Sequence, residues 1–244
     1  MTYSPRYVLT PEEFGTLWPE LGLGGVPYPL DVPRAGKADV DHLRRDVEPL
    51  LRVLGQAEVA VDLVADADGP VRALAAAKGG FAVLAVVSAR GVELSVIRPA
   101  GLTAALLEVL PEREAGPGHA LSVPVEALEK AAALVDAEDD EDDHPWGGGT
   151  VHDERSAFLK AGLSPADAAL MSELATSRVA GGQFGVSCTD RGKRRRAPMV
   201  VTWFDTPRGR YLMVKDGTWL SVAPADHRRL LARIESLLSR SAAA

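Results

Sequence analysis

Between Gly181 and Leu238, short β-rich runs alternate with tight punctuation, and few folds accommodate that pattern. The runs start at Gly181 (Gly-Gly-Gln-Phe-Gly-Val-Ser-Cys), Pro198 (Pro-Met-Val-Val-Thr-Trp-Phe-Asp), Tyr211 (Tyr-Leu-Met-Val) and Trp219 (Trp-Leu-Ser-Val). Asp205 to Gly209 suits a hairpin loop, because Pro207 presets φ and Gly209 accepts a positive φ. Asp216-Gly217 suits a second hairpin turn. Leu230, Leu231, Ile234, Leu237 and Leu238 then recur at helical spacing, opposite Arg228, Arg229, Arg233 and Glu235. The expectation is an antiparallel meander of four strands closed by an amphipathic helix. Burying that leucine face is worth roughly 10 kcal/mol gross. Ordering its backbone costs about 1–2 kcal/mol per residue, so the helix must dock on a sheet or another helix.

A chain of 244 residues, 46% hydrophobic and 25% charged, suits one large soluble domain or two small ones. Its net charge of −7 argues against a general nucleic-acid binder. The single cysteine, Cys188, allows no internal disulfide, which fits a reducing cytoplasm. No basic region followed by an apolar run marks a secretion signal at the N-terminus. The longest apolar run, Phe81 to Val87, is too short to span a membrane.

Upstream, Thr10-Pro11-Glu12-Glu13 is a helix start with a capping box, carrying Phe14, Leu17 and Trp18 on one face. Asp39 or Asp41 caps a second helix with Leu43, Val47, Leu50, Leu51 and Leu54 inward, and Pro49 predicts a kink or break in it. Glu58 to Ala65 alternates as a half-buried strand, and 66–70 reads as a loop. Val71 to Lys78 is ambiguous between a short helix and an extended arm. Phe81 to Val87 lacks a polar face and reads as a central strand covered on both sides. A turn at 89–91, a strand from Val92 and a helix bearing Leu102, Leu106, Leu107 and Leu110 follow, with 111–118 as a linker.

The chain then starts again. Ser122-Val-Pro124-Val-Glu126 opens a helix, interrupted by the acidic run Asp136 to Asp143. Helical patterning resumes near Asp153, with Phe158 and Leu159. Ser164-Pro165 caps a further helix bearing Leu170, Met171, Leu174 and Val179. Ser95-Val-Ile-Arg-Pro99-Ala matches Ser221-Val-Ala-Pro224-Ala, each just before a leucine-rich helix. These correspondences predict an α+β fold that is internally duplicated, with halves 1–118 and 119–244. The expected architecture is pseudo-twofold, with one central antiparallel sheet. The seam is expected at the two most apolar strands, Phe81–Val87 and Met199–Phe204. A period of about 110 residues is too long for a solenoid repeat.

No catalytic signature stands out: there is no phosphate loop with lysine and no Gly-x-Ser-x-Gly elbow. The chain is therefore read as non-enzymatic and without a cofactor. His144 and His152 lie near Asp142, Asp143 and Asp153, but a segment of that composition reads first as a solvated loop and not as a metal site. Cys188 reads as a small strand residue, and Trp18, Trp203 and Trp219 as core. The basic run Arg191 to Arg196 reads as a solvated hairpin tip or protein-contact loop. The alternative is a nucleic-acid-associated module using 191–196, although base-stacking aromatics are not interleaved with the run.

Two stretches stand out together. The first is Leu9-Thr-Pro-Glu-Glu-Phe-Gly-Thr-Leu-Trp18 followed by Val26-Pro-Tyr-Pro-Leu. The second is Gly182-Gln-Phe-Gly-Val186, followed by Arg194-Arg-Arg-Ala-Pro198 and Phe204-Asp-Thr-Pro-Arg-Gly-Arg-Tyr211. Together they resemble the ESX (type VII) secretion-associated EspG family of actinobacteria, and the resemblance covers nearly the whole chain. It implies a cytoplasmic chaperone that binds a helical secretion substrate of the PE–PPE kind and keeps it soluble. It also implies helical bundles flanking the sheet, and a groove built from a loop between early strands and from a C-terminal bundle. On this chain those regions correspond to Asp66, Asp68, Val71, Arg72 and Lys78, and to Phe158, Leu159, Leu163, Met171 and Leu174. A substrate with an exposed apolar tip aggregates unless covered, which suits such a groove.

Overall fold

The capping signals at the start of the chain are realised as read. The computed structural model describes residues 7–33, 36–141 and 151–242, with the main chain alone for 136–141 and 151–153. Strand β1 (Tyr7–Leu9) leads into α1 (Pro11–Glu20), where Thr10 Oγ1 accepts from Glu13 N at 3.2 Å and Glu13 Oε2 accepts from Thr10 N at 2.8 Å. Next come α2 (Asp41–Gly55), β2 (Val59–Asp66), β3 (Pro70–Lys78), β4 (Phe81–Ser88) and β5 (Gly91–Ile97). A 3₁₀ turn (Pro99–Gly101) precedes α3 (Leu102–Leu107). Then follow β6 (Leu121–Pro124), α4 (Val125–Glu141), α5 (Val151–Lys160) and α6 (Pro165–Thr176). The chain closes with β7 (Ala180–Asp190), β8 (Lys193–Arg196), β9 (Val201–Thr206), β10 (Gly209–Asp216), β11 (Trp219–Pro224) and α7 (His227–Ala242). The class is α+β, and the named ladders are antiparallel.

Two compact units interleave along the chain. The first comprises Met1–Arg113, Gly181–Thr202 and Asp226–Ala244. Its strands run in the order β1-β5-β4-β3-β2-β7, with β8 added to β7. Asp62, Leu74, Ala85, Leu94 and Tyr7 lie in one cross-strand row and so share a face. That face is covered by α1 and α2, whose Phe14, Leu17, Trp18, Val47, Leu51 and Leu54 form one cluster with Leu74, Val83, Ala85 and Leu94. The opposite parity, Val61, Ala75 and Leu84, is buried as well, and α3 packs on β2, β3 and β4. The strand at Phe81–Val87 is thus covered on both sides, as its composition requires.

The second unit comprises Glu114–Ala180 and Trp203–Ala225. Its strands run β9-β10-β11-β6. Leu121, Val123, Leu174, Phe204, Tyr211 and Val222 make its core, with the Phe204 and Tyr211 rings stacked at 5.4 Å. The α4, α5 and α6 helices pack in series. Tyr211 Oη donates to Pro117 O at 2.9 Å, and Gly116 N donates to Arg210 O at 3.0 Å, so the 111–118 linker is held against β10. A Cβ on Gly116 would lie 2.2 Å from the Tyr211 ring, so only glycine permits this approach.

Several expectations are corrected. Val71–Lys78 is extended and not helical, and it is no free arm: with Pro70 it makes β3, paired on both edges. Its alanines favour a helix locally, and ladder pairing with burial of Ala73–Ala76 decides otherwise. The expected seam does not form at Phe81–Val87, because both edges of β4 are taken by β3 and β5. The second-half strand that joins the first-half ladder is β7, aligned on β2 from Val59↔Cys188 to Asp66↔Gly181. Apolar composition reports burial of a strand's faces and says nothing of which edge it pairs.

Helix α2 continues through Pro49 without a break. An interior proline costs about 3 kcal/mol. Burial of Val47, Leu51 and Leu54 at about 1.5–3 kcal/mol each offsets it. Helix α4 runs on through 136–141, so that part of the acidic run is helical and not a loop. Leu121–Pro124 forms a strand before the helix begins, and the four-strand meander gains a fifth strand, β8. Trp18 and Trp203 are buried, but Trp219 is 50% exposed on β11 and is not core.

Candidate functional site

The β2–β3 turn is built by Asp68 and Gly69, at φ 59° and 122°, with Ala67 N donating to Gly69 O at 3.0 Å. The expected loop therefore shrinks to three residues, 67–69. Asp66 and Asp68 are exposed there, and Val71 and Arg72 are half-buried on the rising strand. Arg72 Nη1 donates to Asp31 O at 2.6 Å, tying the hairpin to the α1–α2 connection. Lys78 lies at the other end of β3, roughly 23 Å away at a strand rise of about 3.3 Å per residue. Its Nζ donates to Gln56 Oε1 at 2.6 Å. The hairpin residues are brought together, and Lys78 is not with them.

In the second unit the α5–α6 turn gathers the apolar set. Gly162, at φ 99°, ends α5 and turns the chain back, so Leu163 N donates to Phe158 O at 3.1 Å. Ser164 caps α6, its Oγ accepting from Asp167 N at 3.1 Å, with Pro165 at the first helical position. Phe158 is half-buried and Leu159 is 41% exposed at this corner. Leu163 and Met171 pack partly buried against the core, and Leu174 is itself buried core. Of the five residues expected on the bundle, Leu159 offers the most open apolar surface and Leu174 the least.

A profile of the EspG family matches residues 34–236. The chain belongs to the EspG family. Among solved structures, the Mycobacterium tuberculosis type VII secretion system chaperone EspG5, in complex with a PE25–PPE41 dimer, is similar over 95% of each chain. The TM-score is 0.71 at 15% sequence identity, so the likeness is one of fold. No curated protein matches by sequence.

In this EspG-family chain the basic run is the exposed tip of the β7–β8 hairpin, and most of it is strand, not loop. Arg191 and Gly192, at φ 48° and 76°, form the turn between β7 and β8, and Lys193–Arg196 is a strand on β7. Arg196 is its anchor. Nη2 donates to Asp62 Oδ1 at 2.8 Å, Nη1 donates to Asp62 Oδ2 at 2.5 Å, and the guanidinium lies 5.2 Å from the Tyr28 ring centroid. The hydrogen bond to Asp62 raises the Arg196 pKa further. A Cβ on Gly185 would meet Arg196 Nη2 at 2.1 Å, so the glycine makes the seat for this pair. Asp62 is 3% exposed, which makes its neutralisation obligatory.

A second pair escaped the sequence reading. Arg210 Nε and Nη2 donate to Asp205 Oδ1 and Oδ2 at 2.7 and 2.9 Å, both residues are buried, and the guanidinium lies 4.4 Å from the Trp203 ring centroid. Asp205 and Arg210 flank the Thr206–Gly209 hairpin turn, and that spacing was the available signal. Cys188 is half-buried on β7, and desolvation pushes its thiol pKa up. Asp142, Asp143 and His144 lie outside the described residues, and of His152 and Asp153 only the main chain is described. Among the described residues no group of three or more His, Cys, Asp or Glu could hold a metal ion. No described helix is long and apolar enough to cross a membrane.

Proposed function

We propose that the chain is a cytoplasmic, non-enzymatic chaperone of type VII (ESX) secretion that binds a helical substrate pair of the PE–PPE kind and keeps it soluble. The observation that carries this reading is family membership across residues 34–236. The fold-level likeness over 95% of the EspG5 chain, solved bound to a PE25–PPE41 dimer, supports it. The proposed substrate-facing residues are Asp66, Asp68, Val71 and Arg72 on the β2–β3 hairpin and Phe158, Leu159 and Leu163 at the α5–α6 corner. Met171 and Leu174 form the floor of the latter surface. Lys78 would take part only with a substrate that reaches along β3.

We further infer an internal duplication with halves 1–118 and 119–244, and with helical bundles flanking the sheet. The order β3-β4-β5-β1 in the first unit corresponds to β9-β10-β11-β6 in the second, which supports this. In each case the short strand before the helices returns antiparallel beside the last strand of a meander.

The test is co-expression with a type VII substrate pair encoded in the same genome. A complex should co-elute on size exclusion, and the substrate should precipitate without the chaperone. Leu159→Asp should weaken co-elution without lowering the melting temperature. Absence of a complex with every such pair would refute the reading.

A further inference from the structure

The strand β8 is four consecutive cations, Lys193, Arg194, Arg195 and Arg196, all exposed. Among the described residues only Arg196 has a carboxylate partner in this strand, and Arg191 at the turn has none. The two second-half segments of the first unit, Gly181–Thr202 and Asp226–Ala244, carry nine Lys or Arg against three Asp or Glu in a chain of net charge −7. Charged side chains on an edge, lysine above all, keep a strand from pairing with its like. Four in a row, largely uncompensated, repel one another as well and call for another account.

The backbone supplies it. β8 pairs with β7 along one edge, and no other described strand pairs with it. Ala197 N donates to Val186 O at 2.8 Å. Antiparallel ladders alternate, so Lys193 and Arg195 turn their main-chain groups toward β7, while Arg194 and Arg196 turn theirs to the open side. The bidentate tie of Arg196 to buried Asp62, under Tyr28, holds this edge in place before any partner arrives. On the side of Cys188 and Arg195, a cavity of about 420 Å³ extends to Pro198 and Ser241, with room for side chains of an added strand.

The geometry points to β8 as a docking edge for an extended acidic polypeptide segment, added as a further strand with its carboxylates on Lys193 and Arg195, which share one face. A polypeptide matches both the open donors and the open acceptors of Arg194 and Arg196. A nucleic acid would leave the carbonyls unmatched, and the neighbouring ring of Tyr28 is already stacked with Arg196. This surface is independent of the chaperone reading above.

The test is fluorescence anisotropy of a labelled eight-residue peptide alternating glutamate with valine, titrated with the full chain. Binding is expected at about 50 mM salt and should weaken several-fold at about 200 mM. Lys193→Glu combined with Arg195→Glu should weaken it at least about tenfold, with circular dichroism unchanged. A peptide of the same sequence N-methylated at alternate residues keeps the charge but loses the strand donors, and it should fail to bind. Equal binding of the methylated peptide, indifference to the charge reversal, no binding at low salt, or tighter binding of a single-stranded oligonucleotide of equal charge would each overturn the assignment.

Discussion

Replacing Asp205 by alanine should be among the most damaging single changes in the second unit. The carboxylate takes two hydrogen bonds from Arg210, at 2.7 and 2.9 Å, with both side chains at 1% exposure or less. Two opposite charges about 4 Å apart attract by about 4 kcal/mol at an effective dielectric near 20. Removing Asp205 takes a bidentate carboxylate from a buried guanidinium, and losses of about 3–5 kcal/mol follow. At about 2–4 °C per kcal/mol for a chain of this size, the melting temperature should fall by about 6–20 °C. Arg210→Met should cost a similar amount, because the buried Asp205 carboxylate loses both hydrogen bonds from the guanidinium. The main chain of Arg210, bonded to Glu114, Gly116 and Ala225, stays intact in every variant, so the cycle isolates the side-chain pair. The double change Asp205→Ala with Arg210→Met removes both charges and should cost less than either single change. The assay is urea denaturation of the four proteins at neutral pH. A loss below about 1 kcal/mol for Asp205→Ala, or a double variant equal to the sum of the singles, would refute the reasoning.

Gly116→Ala should lower stability by about 2 kcal/mol or more, because its Cβ would enter the Tyr211 ring at 2.2 Å; thermal melting measures it, and Tyr211→Leu should partly restore the variant. Leu174→Ala should cost about 2–5 kcal/mol in urea, whereas Leu159→Asp should change stability by less than about 0.5 kcal/mol while weakening substrate capture. Burial raises the Tyr211 pKa above its ordinary value of 10.0, so the unfolded chain loses that proton first. Its contribution is complete below the unfolded pKa and declines as pH rises through the folded one, so the stability gap between the wild type and Tyr211→Phe should narrow above about pH 10. Cys188, its pKa raised by desolvation, should react with a thiol reagent more slowly than a free thiol at about pH 8, and unfolding in urea should abolish the difference.

Much of the molecule follows from short-range chemistry. Thr10 with Glu13 and Ser164 with Pro165 start helices wherever they occur, because each satisfies main-chain donors within one turn. The hairpin at Pro207–Arg208 is equally local, and so is the second one, although its turn residues are Gly217 and Thr218, one position beyond the expected Asp216–Gly217, because Asp216 still pairs with Trp219. The α7 face of Leu230, Ile234 and Leu237 went inward as its period demands. The family was legible as well, because its signature lies in such ordered local signals, and the match over 34–236 agrees.

What required the assembled chain is everything that depends on a partner far away in sequence. The alanine tract of β3 is a strand only because β2 and β4 hold both its edges, and helix propensity cannot register that. The β2–β7 pairing unites residues more than a hundred positions apart, and edge choice leaves no periodic trace in either strand. Arg196 became an anchor because Gly185 vacates the space that its guanidinium fills beside Asp62. A run of cations read along the chain shows only its charge. Which of them is neutralised, and which main-chain groups stay open, is settled by the ladder on which the run is laid.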